Sequence, residues 1–188
     1  MNKRVTIEIN NHIAVVRLNR PEKMNALDFA MFDAIIEAGE HVAKNPSVRC
    51  VVLVGEGKAF CAGLDLSNFS AENGVNKRPL ADRTHGIANK FQKAVWIWRI
   101  IPIPVVAAVH GVAFGGGLQI MLGSDIKYIH PDTKLSIMET KWGIIPDMAG
   151  TQLMRHSVRD DIIRELTYTN RIFSGEEAVK YGFATHLS

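Results

Sequence analysis

The stretch HGVAFGGGLQIMLGSD, His110 to Asp125, sets three glycines between two apolar segments. Glycine weakens helices and strands, so a triplet inside apolar sequence points to a demand on the backbone. The run before it reads as a strand, and LQIMLG (Leu118–Gly123) is long enough for two helical turns, so Gly115, Gly116 and Gly117 open a helix where a strand stops. The first N–H groups of a helix have no partner within it, and the aligned peptide dipoles make that end electropositive. An anion, or an oxygen that turns negative during reaction, can be held there, with glycine letting it reach the backbone. Tight packing of the strand on the helix explains the same glycines equally well.

Several other chemistries are excluded by pattern. No G-x-x-x-x-G-K-[ST] is present, and GEGKAF begins like G-x-G-x-x-G but carries Phe60 at the last glycine position. There is no G-x-S-x-G nucleophile elbow. Seven histidines show no H-E-x-x-H or other metal spacing, so no metal is expected. Cys50 and Cys61 form no C-x-x-C pair, which suits a reducing compartment. The net charge of +3 comes without a run of Lys and Arg, so no nucleic-acid partner is expected. The start, MNKRVTIEIN, lacks the apolar core of a signal peptide, and the longest apolar stretch, Ile100–Val109, is short and carries two prolines. The expectation is a cytoplasmic protein with no membrane contact.

The elements that must position the glycines follow from periodicity. Val5–Ile9 alternates as a strand, Asn10-Asn11 turns the chain, and Ala14–Leu18 returns. Asp28 is placed to cap a helix whose apolar face carries Phe32, Ile35, Ile36 and Val42 and which ends before Asn45-Pro46. CVVLV (Cys50–Val54) and VVAAV (Val105–Val109) read as strands buried on both faces. Ser67–Pro79 is polar and unpatterned, as a mobile loop would be. Ile87, Phe91, Val95 and Trp98 have helical spacing up to Pro102 and Pro104. Ile126–Ile129 and Leu135–Met138 suit short strands, Thr151–His156 and Asp160–Thr169 helices. Ser174 with Glu177 makes a capping box for a last helix that ends at Gly182. AVVRL, CVVLV and VVAAV form a loose repeat of strand, turn and polar or helical sequence, which predicts layered α/β architecture.

Five segments in order, RPEKMNALD (Arg20–Asp28), GKAFCAGLDL (Gly57–Leu66), HGVAFGGGLQ (His110–Gln119), METKWGIIPDMAGTQ (Met138–Gln152) and FSGEEAVKYGFA (Phe173–Ala184), together resemble the crotonase family of enoyl-CoA hydratases and isomerases over nearly the whole chain. The resemblance implies an α/β fold, a spiral of ββα repeats with flanking helices, as one catalytic core over residues 1–188. It implies an acyl-CoA thioester substrate, with coenzyme A part of the substrate and no separate cofactor. It also implies a homo-oligomer, a trimer or hexamer. Relatives usually continue into C-terminal helices that pack on the active site and on neighbouring subunits. This sequence stops at Ser188, so a core without that helical oligomerisation segment is expected.

By the same resemblance the thioester oxygen would be gripped by the backbone N–H groups of Leu64 and Gly116. Coenzyme A would lie near Lys23, Met24 and Ala26 and against Ala62, Gly63, Leu64, Asp65 and Leu66, with Gly115 beside the second donor. Lys23 and Lys58 read equally well as solvated charges. A typical hydratase carries two glutamates twenty positions apart; here those positions hold Gln119 and Glu139. An amide cannot deliver or accept a proton at useful pKa values. Asp147 stands eight residues after Glu139, where isomerase-like relatives carry an aspartate base. It could instead cap the helix starting near Ala149. Glu139 and Asp147 could form an acid/base pair, which favours double-bond isomerisation over hydration by Glu139 alone; a non-catalytic acyl-CoA-binding remnant is the reading from another class. His85 reads as an exposed helix residue in preference to a dehalogenase-like nucleophile, Cys61 as small packing beside the donor segment, and Trp96 and Trp98 as core or acyl-pocket walls.

Overall fold

The computed structural model describes residues 4–69 and 80–188. Of the expected loop Ser67–Pro79, residues 67–69 lie in a 3-10 turn, Leu66–Phe69, and 70–79 fall outside the described residues.

Strands β1 (Val5–Asn10) and β2 (Ile13–Leu18) form an antiparallel hairpin. Asn11 and His12 both take positive φ (48° and 67°), as a tight two-residue hairpin turn requires. Helix α1 (Phe29–Lys44) starts where the Asp28 side chain accepts from Met31 N at 2.8 Å. Strand β3 (Cys50–Gly55) follows, then helix α2 (Lys90–Ile100), strand β4 (Val105–Val109), the short strand β5 (Val112–Phe114) and helix α3 (Gly116–Leu122). The chain continues through β6 (Ile126–Ile129), β7 (Lys134–Ser136), α4 (Gly150–Met154), α5 (Asp160–Thr169), α6 (Gly175–Tyr181) and β8 (His186–Leu187). The main sheet has the order β1-β2-β3-β4-β6-β8, parallel after the first hairpin; β5 and β7 pair in parallel as a second, two-stranded sheet. The three similar apolar runs are therefore neighbours in one sheet.

Ala14, Val16, Val51, Leu53, Val105 and Ala107 of these strands are fully buried, and α1 packs against β1 and β2. Val52, Val54, Val106 and Ala108 point to the other face and are half-buried, so β3 and β4 bury one face rather than both. Helices α1 and α2 touch at Gly39, where an added Cβ would stand 2.4 Å from Ile97 Cγ1.

Other differences from the sequence reading have local causes. Asn89 and Gln92 form a capping box, which starts α2 at Lys90 and leaves Ile87 outside it, 79% exposed. His85 likewise precedes α2, bridged to Ala88 and hydrogen-bonded to Thr84, rather than lying on a helix. The strand expected over Leu135–Met138 ends at Ser136. Helix α6 has the expected capping box of Ser174 and Glu177 and stops at Gly182 (φ 90°). No helix among the described residues is long and apolar enough to cross a membrane.

Candidate active site

The site is assembled where β5 meets the segment from Cys61. Cys61 N donates to Val112 O (3.0 Å) and Phe114 N to Cys61 O (3.1 Å), so Cys61–Leu64 runs alongside β5 toward α3. On its other side Leu27 N donates to Gly63 O (2.8 Å) and Asp65 N to Leu27 O (3.1 Å). This pattern leaves the Leu64 N–H directed away from Leu27. Gly63 has φ +88°, and a Cβ there would meet Phe114 O at 2.6 Å and Gly116 N at 3.6 Å, so the two backbone segments are in contact. Gly116 is the first residue of α3, where a helical N–H has no intrahelical acceptor. Neither Leu64 N nor Gly116 N donates to a protein group among the described residues, and both residues line a cavity of about 490 Å³.

Each glycine of the triplet has its own reason. Gly115 takes φ +47° and brings its backbone against Glu139, whose Oε1 would lie 3.2 Å from a Cβ at this position. A Cβ on Gly116 would stand 2.8 Å from Leu27 Cδ1. One on Gly117 would meet Cys61 O at 2.3 Å. Close approach accounts for all three glycines, and at Gly116 it accompanies an N–H with no protein acceptor among the described residues.

Glu139 starts a 3-10 turn (Glu139–Trp142) three residues after β7 and is 6% exposed. Its Oε1 accepts from Gln119 Nε2 at 2.6 Å, and its Oε2 has no partner among the described residues. Burial raises the Glu139 pKa above its ordinary value, outweighing the Gln119 and backbone donors, and Asp147 adds to the rise. Gln119, on α3 and 2% exposed, also accepts from Gly150 N through Oε1 at 2.8 Å. It ties α3, Glu139 and the start of α4 together. Asp147 is half-buried, and burial raises its pKa too. It does not cap α4: that helix begins after Ala149, in the left-handed region at φ 71°, with no side-chain cap. Its carbonyl instead accepts from Gln92 Nε2 of α2 at 3.2 Å. Gln119, Glu139 and Asp147 all line the cavity.

The remaining predicted residues divide. Met24, Ala62, Gly63, Leu66 and Gly115 line the cavity; Lys23, Ala26 and Asp65 do not. Lys23 and Lys58 are exposed. Asp65 accepts from Arg20 Nη1 at 2.6 Å; burial would raise its pKa, but the Ser67 N–H and Arg20 outweigh this and hold it low. Cys61 is buried with its thiol on Asn25 O, and burial pushes its pKa up to about 12, which leaves no thiolate for nucleophilic attack. Trp98 is core and Trp96 packs against it; neither lines the cavity. Among the described residues no cluster of three His, Cys, Asp or Glu could hold a metal ion.

The sequence reading passed over several builders of the site. Arg20 joins Asp65, Asp28 and Ala26 O, and the fully buried Asn25 accepts from Arg20 N and donates to Glu56 O and Ala59 O. Trp142, Met138 and Met148 line the cavity, as do Phe29 and Phe91, whose ring centroids are 6.3 Å apart. Phe29 stands three positions before Phe32, within reach of a helical-face search; the approach of Phe91 has no local signal.

Comparison with known proteins gives concordant results. A family model described as Enoyl-CoA hydratase/isomerase matches residues 8–187. The chain is 30% identical over 181 residues to the mitochondrial Delta(3,5)-Delta(2,4)-dienoyl-CoA isomerase of Mus musculus, covering 94% of the chain and 55% of that protein. It is 31% identical over 184 residues to the (E)-benzylidenesuccinyl-CoA hydratase of Thauera aromatica, covering 97% and 69%. A structure from Thermobifida fusca YX, a putative enoyl-CoA hydratase in complex with acetoacetyl-CoA, superposes with a TM-score of 0.85 at 28% identity, over 98% of this chain and 73% of that one. The chain thus spans little more than half of one curated relative and about two thirds of the other. With the match running through every segment that walls the cavity, the chain belongs to the enoyl-CoA hydratase/isomerase, or crotonase, family.

Proposed function

We propose that the protein binds an acyl-CoA thioester, stabilises its enolate between the N–H groups of Leu64 and Gly116, and moves a double bond along the acyl chain with Glu139 and Asp147. One observation carries the reading: a buried Glu139 carboxyl group, its Oε2 unpartnered among the described residues, beside Gly115 and in the same cavity as both free N–H groups. Removing a proton next to a thioester carbonyl sends charge to the carbonyl oxygen, and each fixed donor there lowers the barrier by about 3–4 kcal/mol. The base must be ionised yet basic, and the burial that raises the Glu139 pKa serves this. Returning the proton to a different carbon completes an isomerisation without water. Glu139 can do both steps, or Asp147 can take one of them.

Gln119 bears on the choice of reaction. Its amide oxygen is used by Gly150 N, and its amide nitrogen donates to Glu139. One amide N–H and one oxygen lone pair remain, enough to orient a water but not to deprotonate it, which supports isomerisation. The named relatives include both an isomerase and a hydratase and support the acyl-CoA class equally for either reaction. For coenzyme A, the placement of Met24, Ala62 and Leu66 on the cavity supports contact there; Asp65 is committed to Arg20.

The test is a panel of 2-enoyl-, 3-enoyl- and 3,5-dienoyl-CoA thioesters given to the parent protein and to Asp147→Asn and Gln119→Glu. Isomerisation should dominate, Asp147→Asn should impair the dienoyl reaction, and Gln119→Glu should raise hydration of the 2-enoyl substrate. Efficient hydration by the parent, untouched by Asp147→Asn, would replace the proposal with a hydratase working through Glu139 alone. Binding without turnover of any substrate would make it an acyl-CoA-binding protein.

A further inference from the structure

The cavity wall shows an imbalance of character. Among the described residues that line it, the ionisable side chains are Glu139 and Asp147, both acidic, and there is no lysine, arginine or histidine. Five aromatic side chains, Phe29, Phe32, Phe91, Phe114 and Trp142, form much of the rest. Phe32 is fully buried and meets Phe91 edge-on, with centroids 5.0 Å apart and planes at 84°. Phe91 itself is only half-buried and open to the cavity. Its neighbour Gln92 donates to the Asp147 carbonyl, and Phe91 and Asp147 line the same cavity. Two lysines come near the aromatic rings without joining the lining: Lys90, 6.0 Å from the Phe29 ring, is paired with Asp33 at 2.6 Å, and Lys141 stands 6.0 Å from the Trp142 ring.

We propose that the acyl end of this site selects an uncharged apolar group, an aryl-bearing one above all, and rejects acyl chains that end in a second carboxylate; this rests on the acyl-CoA reading above. A second carboxylate would lose its water inside an apolar wall, with two acidic side chains nearby and, among the described residues, no cation in the lining to pair with. An aryl group would instead complete the edge-to-face packing that Phe32 and Phe91 begin, beyond the gain from apolar burial alone.

Calorimetric titration with three saturated thioesters, hexanoyl-, 3-phenylpropanoyl- and glutaryl-CoA, tests selection apart from turnover. Glutaryl-CoA should bind about 100-fold more weakly than hexanoyl-CoA, the scale set by an unpaired buried charge. The phenyl thioester should bind about 2- to 10-fold more tightly than hexanoyl-CoA, and in Phe91→Leu that ratio should fall toward one. Glutaryl-CoA binding within tenfold of hexanoyl-CoA overturns the inference, and so does a phenyl preference that survives Phe91→Leu. Running the matching enoyl thioesters in parallel separates the two proposals. The predicted binding order without turnover removes the catalytic reading and leaves the selectivity standing. Turnover with equal acceptance of the carboxylate-bearing thioester does the reverse, and failure of all three thioesters to bind removes both.

Discussion

Glutamine at position 139 would keep the volume of Glu139 and an oxygen for Gln119 Nε2 while removing the proton-transferring group. Glu139→Gln should lower turnover by about 10²–10⁴-fold, read in a steady-state assay on the best substrate of the panel; near-normal turnover would take Glu139 out of the mechanism. Asp65 makes a different prediction. Its carboxylate holds Arg20, which also holds Ala26 O, and the residue before it is Leu64. Asp65→Asn should therefore shift the Leu64 N–H and lower kcat by about 10–100-fold, the cost of a misplacement of order 1 Å, with coenzyme A affinity little changed. Weakened coenzyme A binding at an unchanged kcat would instead restore Asp65 as a ligand contact. The residue types were readable from the five segments, but which polar ends remain free was not. That Gln119 spends one N–H on Glu139 and one lone pair on Gly150 N is settled only by the fold.

At the scale of elements, capping and packing were legible to different degrees. Asp28, Ser174 and Glu177 act within three residues of their partners, so their helix starts could be read directly. β5 and β8, three and two residues long, are too short for alternation to show. Asp147 has the type and position of a cap, yet α4 starts from a left-handed Ala149 instead. Contact between α1 and α2 through Gly39 is likewise invisible to helical periodicity, which marks a face but not its partner. Gly39→Ala should destabilise the fold by about 1–3 kcal/mol in urea unfolding, because its methyl would meet the branched Ile97 side chain at 2.4 Å. A stabilised variant would mean that the two helices can separate without loss.

The whole molecule sustains a buried acid at the site, and this has a cost in stability. Glu139 would titrate near its ordinary value of 4.5 in the unfolded chain and higher in the fold. Between those two values the folded state binds more protons, so this group's contribution falls as pH rises through that window and stays reduced above it. Glu139→Gln should then be more stable than the parent at neutral pH, with the difference vanishing as pH drops below about 4.5; urea titrations of both proteins across that range check it. A variant less stable at every pH would show that the ionised carboxylate is held by more than its contact with Gln119. The sequence alone determined the longer strands, most of the helix limits, the absence of nucleotide-loop and hydrolase-elbow patterns, and the five segments that carry the family resemblance. These rest on apolar periodicity, capping chemistry and glycine spacing, which act over a few residues. Tertiary structure alone decided that Asp65 serves Arg20, that Gln119 bonds Gly150 N, and that Phe91 meets Phe29 and Phe32 at the cavity wall. The polar partners concerned lie 45 and 31 residues apart in the chain. Residue type says what a side chain can do, but the approach of distant segments determines which partner it meets and whether water still reaches it.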